Sequence, residues 1–79
     1  MDNNAMRTVN IEILQSNKPA PGSILHERLG LEAVSRAMKR YPGMRAAAPA
    51  RFVDAYPTAW ETVWMAFKVD LVPVVSDMS

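Results

Sequence analysis

The chain has 79 residues, 49% of them hydrophobic and 22% charged, which is the balance of one folded domain rather than a disordered segment. It has no cysteine, which excludes disulfides and thiolate metal sites, two common staples of domains this small. The formal net charge of +1 conceals an uneven layout: residues 33–53 carry Arg36, Lys39, Arg40, Arg45 and Arg51 with no acid, while acids outnumber bases on either side.

Residues 1–79 read as a single small domain, with 1–5 and 76–79 expected to be flexible ends. No run approaches the ~20 apolar residues that span a bilayer. The opening MDNNAMRTVN has neither the basic nor the apolar region of a secretory leader. A cytoplasmic protein that does not engage membranes is therefore expected. A chain this short buries only roughly 60% of the surface its unfolded form exposes. With the usual staples missing, self-association is the expected support, so a homo-oligomer is predicted.

In RTVNIEIL, residues 7–14, Val9, Ile11 and Ile13 alternate with Thr8, Asn10 and Glu12, the period of a strand with one buried face. SNKPAPG, residues 16–22, has two prolines and a glycine and reads as a loop. Ser23 suits the N-cap of a following helix, in which Leu31, Val34, Met38 and Tyr41 recur at helical spacing as one apolar stripe. Gly30 is a point where this helix would kink or divide, and Pro42 and Gly43 end it. MRAAAPAR, residues 44–51, has no apolar period and reads as a connecting loop. RFVDAY is short and strand-like, closed by Pro57 and Thr58, and suits a hairpin into the next segment.

That next segment, PTAWETVWMAFKVDLVPVV from Pro57 to Val75, fits two periods. Thr58 and Glu61 have capping-box spacing, and Trp60, Val63, Trp64, Phe67 and Leu71 follow a helical stripe. Val63, Met65, Phe67, Val69 and Leu71 also alternate strictly with Thr62, Trp64, Ala66, Lys68 and Asp70, in a stretch rich in β-branched residues. Context favours the strand, because the strand at 7–14 needs antiparallel partners for its backbone donors and acceptors. Pro73 then belongs where a missing N–H harms least, at a sheet edge. The predicted fold class is α+β: a small antiparallel sheet of about three strands with one helix packed on one face, and Trp64 on the face away from the helix.

PGSILHERLGLEAVSRAM, residues 21–38, resembles the opening helices of helix-turn-helix antitoxin-type repressors, where a Pro-Gly start precedes a helix, a Gly-Leu turn and a second helix. The resemblance covers 18 of 79 residues. The family needs a third helix to enter the DNA groove, where this chain has the proline-broken YPGMRAAAPARF, and RTVNIEIL departs from an all-helical fold.

The sequence carries little chemistry. His26 is the only histidine and, in SILHER, is placed on a polar helical face. The glycines at 22, 30 and 43 are scattered and open no phosphate-binding loop. Glu27 with Glu32, and Asp54 with Glu61, read as solvated charges. No catalytic residue, cofactor or metal is expected, and the protein is read as a non-enzyme.

Two features suggest binding. Trp60 and Trp64, with six methionines, are residue types enriched at contact surfaces. Arg36, Lys39, Arg40, Arg45 and Arg51 form a basic run suited to steering or to acidic partners. The expected function is a small protein-binding module, an inhibitor or adaptor of the kind encoded by phages and mobile elements, with these seven residues facing the partner. Two alternatives remain open: a nucleic-acid-binding protein using the basic run at 36–51, and a structural subunit that repeats through its sheet edge.

Overall fold

The computed structural model describes residues 6–16, 18–58 and 60–74. The ends expected to be flexible, 1–5 and 76–79, lie outside the described residues. The elements are β1 (Arg7–Gln15), α1 (Ile24–Arg40), β2 (Met44–Ala46), β3 (Arg51–Pro57) and β4 (Val63–Pro73). The α+β class holds, with four strands in the sheet.

The strand reading of the Trp64 segment is the correct one. β4 is the central strand, pairing antiparallel with β1 along one edge and with β3 and then β2 along the other. A helix would have left β1 without a partner for its backbone groups. Val63, Met65, Phe67, Val69 and Leu71 are buried, and with Val9, Ile11 and Ile13 of β1 they form the apolar floor of the core.

α1 covers that floor. The Ser23 side chain caps it by accepting from the His26 backbone N–H at 3.1 Å, a bond worth about 1 kcal/mol in such caps. Glu27 in its first turn and Lys39 and Arg40 in its last complement the helix dipole. The helix runs undivided through Gly30, so no turn of the repressor type exists at Gly30–Leu31.

The buried face differs from the expected stripe. Leu29, Ala33 and Ala37 are buried, and Val34 and Tyr41 pack partly against the core, whereas Leu31 is 71% exposed and Met38 sits at the margin. The cause is volume. Phe67, Met65, Ile11 and Leu71 already fill the space above the sheet, and close packing leaves room for alanine on the helix that meets them.

The 44–51 segment is not wholly a loop. Met44–Ala46 forms β2, in register with Pro73, Val72 and Leu71, and Ala47 N–H donates to Asp70 O at 2.8 Å. β3 forms the expected hairpin with β4, with a β-bulge between Phe52 and Asp54. The inserted residue resets the alternation, so Phe52 and Ala55 both face the helix side while Arg51, Asp54 and Tyr56 face the other. Pro73 ends β4 past Arg7, the last β1 residue paired with it. Val74 N–H donates to Gly43 O, so the nitrogen of Pro73 points to the opposite side, where no described residue of β1 lies.

Among the described residues, no helix is long and apolar enough to cross a membrane.

Candidate interaction surface

Among the described residues the helix covers one face of the sheet only and leaves the other open. Cross-strand register assigns the residues there, because side chains that pair in a sheet share a face. At the β3–β4 hairpin end, Leu14, Trp64 and Tyr56 stand side by side across three strands, exposed by 47%, 40% and 46%. Next come Glu12, Ala66 and Asp54, then Asn10, Lys68 and Arg51, then Thr8 and Asp70, and finally Val72 with Arg45. Val53, the residue inserted at the bulge, lines an open depression with Asn10, Glu12, Tyr56 and Lys68.

The face is thus an apolar row at one end that grades into mixed charge. Three acids, Glu12, Asp54 and Asp70, stand against three bases, Arg45, Arg51 and Lys68. Two of them are tied together: Asp70 Oδ1 accepts from Arg51 Nη2 and from Thr8 Oγ1, each at 2.8 Å.

The hairpin tip borders the apolar row. Thr58 N–H donates to Thr62 O at 2.9 Å, and the two threonine hydroxyls lie 2.6 Å apart, closing the loop. Thr58 does not cap a helix; its hydroxyl accepts from Trp60 N–H at 3.0 Å. Trp60 projects from the turn, 83% exposed, and Glu61 takes a left-handed φ of 61°.

The fold divides the residues singled out from the sequence. Trp64, Arg45 and Arg51 lie on the open face, and Trp60 lies at its rim. Arg36, Lys39 and Arg40 lie on the exposed surface of α1, across the sheet from Arg45 and Arg51, so the basic run at 36–51 is not one patch. Arg36 is also partnered, its Nε donating to Glu32 at 2.9 Å one helical turn earlier. Leu14, Tyr56 and Val53 went unread in the sequence. Leu14 had a signal, since it puts an apolar residue on the polar side of the Thr8, Asn10, Glu12 alternation. Tyr56 did not, because the bulge hides the parity of β3.

On the helix side, His26 is not on a polar face. Its ring packs edge-on against Phe52 at 5.0 Å and Phe67 at 6.0 Å between centroids, and the two phenylalanines meet at 5.7 Å. Among the described residues its Nε2 is buried without a hydrogen-bond partner. An open apolar groove of about 370 Å³ runs beside this cluster between α1 and the Pro49–Phe52 segment. Among the described residues the His26 ring makes no bond to a carboxylate or hydroxyl side chain, and no group of three His, Asp or Glu residues is placed to hold a metal. Compared with protein-family models, curated proteins and solved structures, the chain shows no significant match to any.

Proposed function

We propose that this protein is a small non-enzymatic docking module that binds another protein through the open face of its sheet, with Trp64 as the anchor. The observation that carries the reading is the placement of Trp64 on the central strand of an uncovered face, between exposed Leu14 and Tyr56. Tryptophan and tyrosine dominate the energetics of protein contacts because they desolvate a large, rigid area at little entropic cost. Trp60 at the rim and Arg45 and Lys68 beyond the row supply the polar surround such anchors have.

The equal numbers of acids and bases on this face support a protein partner over a nucleic acid, which needs a surplus of positive charge to neutralise phosphates. A module of this kind acts by occupying or bridging a surface, as inhibitors and adaptors do, and a cysteine-free chain suits a reducing compartment such as the cytoplasm.

The test is site-specific photo-crosslinking in the cells that make the protein, with the photoreactive residue at position 56 and, as a control, at position 36. A discrete protein adduct from position 56 that disappears with Trp64→Ser supports the reading. Adducts of equal yield from both positions, or retention on DNA that survives Trp64→Ser, would replace it with the nucleic-acid alternative.

A further inference from the structure

The two edges of the sheet are unequal. In a strand, the backbone groups of successive residues point to opposite edges. Ala47 donates to Asp70 O, Thr58 to Thr62 O, and Val74 N–H to Gly43 O, so the even-numbered residues of this stretch face β2 and β3. The odd-numbered residues of β4 therefore face β1, where register sets them opposite Arg7, Val9, Ile11, Ile13 and Gln15. What remains on the outer edge of β1 is the N–H and C=O of Thr8, Asn10, Glu12 and Leu14. Of these, only the Leu14 carbonyl has a partner among the described residues, the Gln15 side-chain amide at 3.0 Å.

The β3 edge is guarded. Its bulge breaks the pairing pattern, Ala55 N–H is covered by the Asp54 carboxylate at 2.8 Å, and Pro57 has no N–H to offer. Natural sheets use such devices to blunt an edge. β1 has neither a proline nor a bulge along its nine residues.

We infer that β1 is a pairing edge for a second copy of this chain, joined antiparallel about a two-fold axis through Ile11. In that register Thr8 of one copy lies opposite Leu14 of the other and Asn10 opposite Glu12, so every outward N–H and C=O is matched with its counterpart. Ile11 meets Ile11, Val9 meets Ile13, and Arg7 meets Gln15. Centring the axis on Glu12 would oppose two like charges, and centring it on Asn10 would leave Leu14 unpaired. The axis runs perpendicular to the sheet, so both helices lie on one side and both open faces join into one surface on the other. This goes beyond the docking reading and stands if that reading fails.

The experiment measures oligomeric state by sedimentation from nanomolar to millimolar concentration, with hydrogen exchange resolved by residue. The expected parent is a dimer in which the amides of Thr8, Asn10, Glu12 and Leu14 exchange slowly, becoming fast on dilution, while those of Val9, Ile11 and Ile13 stay protected. Asn10→Pro removes an N–H the monomer does not use; it is expected to keep its circular dichroism and lose the dimer. Register is read by charge. Asn10→Lys, opposite Glu12, is expected to tighten the dimer about fivefold, and Asn10→Asp to loosen it by a similar factor.

A parent that is monomeric throughout, or fast exchange at Asn10 and Glu12 at every concentration, overturns the inference even if Asn10→Pro does not fold. So does a dimer that a folded Asn10→Pro leaves intact. A looser dimer with Asn10→Lys overturns the register.

Discussion

Arg51 and Asp70 face each other across the sheet with Nη2 and Oδ1 2.8 Å apart, and the same carboxylate oxygen accepts from Thr8 on the other side. Asp70 thereby links three of the four strands, β1, β4 and β3, on the open face. Its side chain is 17% exposed against 57% for Arg51, so the carboxylate is the sheltered member of the pair. Replacing Asp70 with Ala is expected to cost about 1 kcal/mol, since both former partners can turn to water. A double-mutant cycle with Arg51→Ala, read by urea unfolding, should return a coupling of roughly 0.5–1 kcal/mol. No measurable coupling would mean that the bond is not maintained in solution.

The buried helix face makes a second prediction. Ala33 and Ala37 are fully buried against the sheet, while Leu31 is largely in solvent. Ala33→Leu should destabilise by about 1–3 kcal/mol through overpacking, and Leu31→Ala should stay within about 0.5 kcal/mol of the parent. The reverse order would restore the Leu31, Val34, Met38, Tyr41 stripe as the packing face.

The contrast shows what the sequence reveals and what it hides. β1 and β4 are legible because their alternation is strict and the sheet rewards it: Val9, Ile11 and Ile13, and Val63 to Leu71 by twos, are the residues buried. The ends of α1 are legible through local chemistry at Ser23, Pro42 and Gly43. Its packing face is not, because hydrophobicity marks the larger side chains, whereas the space left by Phe67 and Met65 selects alanine. β2 has only three residues and exists because Val72 and Leu71 offer it an edge, a fact outside its own sequence. The exposure of Trp64 follows from the strand reading. Its neighbours across the sheet needed the register and the bulge, neither of which the chain order discloses.

Two glycines should respond oppositely to alanine. Gly30 lies inside α1, and an added Cβ would meet only the Ala50 Cβ at 4.0 Å, an ordinary contact. Gly30→Ala should therefore stabilise by about 0.5–1 kcal/mol through helix propensity alone. Gly43 joins α1 to β2 at a φ of 92°, which an L side chain adopts only with strain. Gly43→Ala should cost about 1–2 kcal/mol, although the space around it is open. Thermal unfolding of both variants beside the parent checks the signs, and a destabilising Gly30→Ala would point to close contact at that position.

Binding through the open face should separate anchoring from steering. Trp64 contributes desolvated contact area, so Trp64→Ser should mainly speed dissociation, with a loss on the order of 2 kcal/mol or more in binding. Folding should suffer less, because the side chain is 40% exposed and lies outside the core. Arg36, Lys39 and Arg40 sit across the sheet from Trp64 and can act on a partner seated there only through the long-range field, which is screened over roughly 8 Å at physiological ionic strength. Replacing all three with alanine should slow association and flatten its salt dependence while leaving dissociation near the parent value. Arg45 lies on the face itself beside Val72, so Arg45→Ala should affect both rates. Stopped-flow measurements with the crosslinked partner at two salt concentrations distinguish these outcomes. If the helix triple variant dissociates faster than Trp64→Ser, the partner sits on α1 and the open-face assignment is wrong.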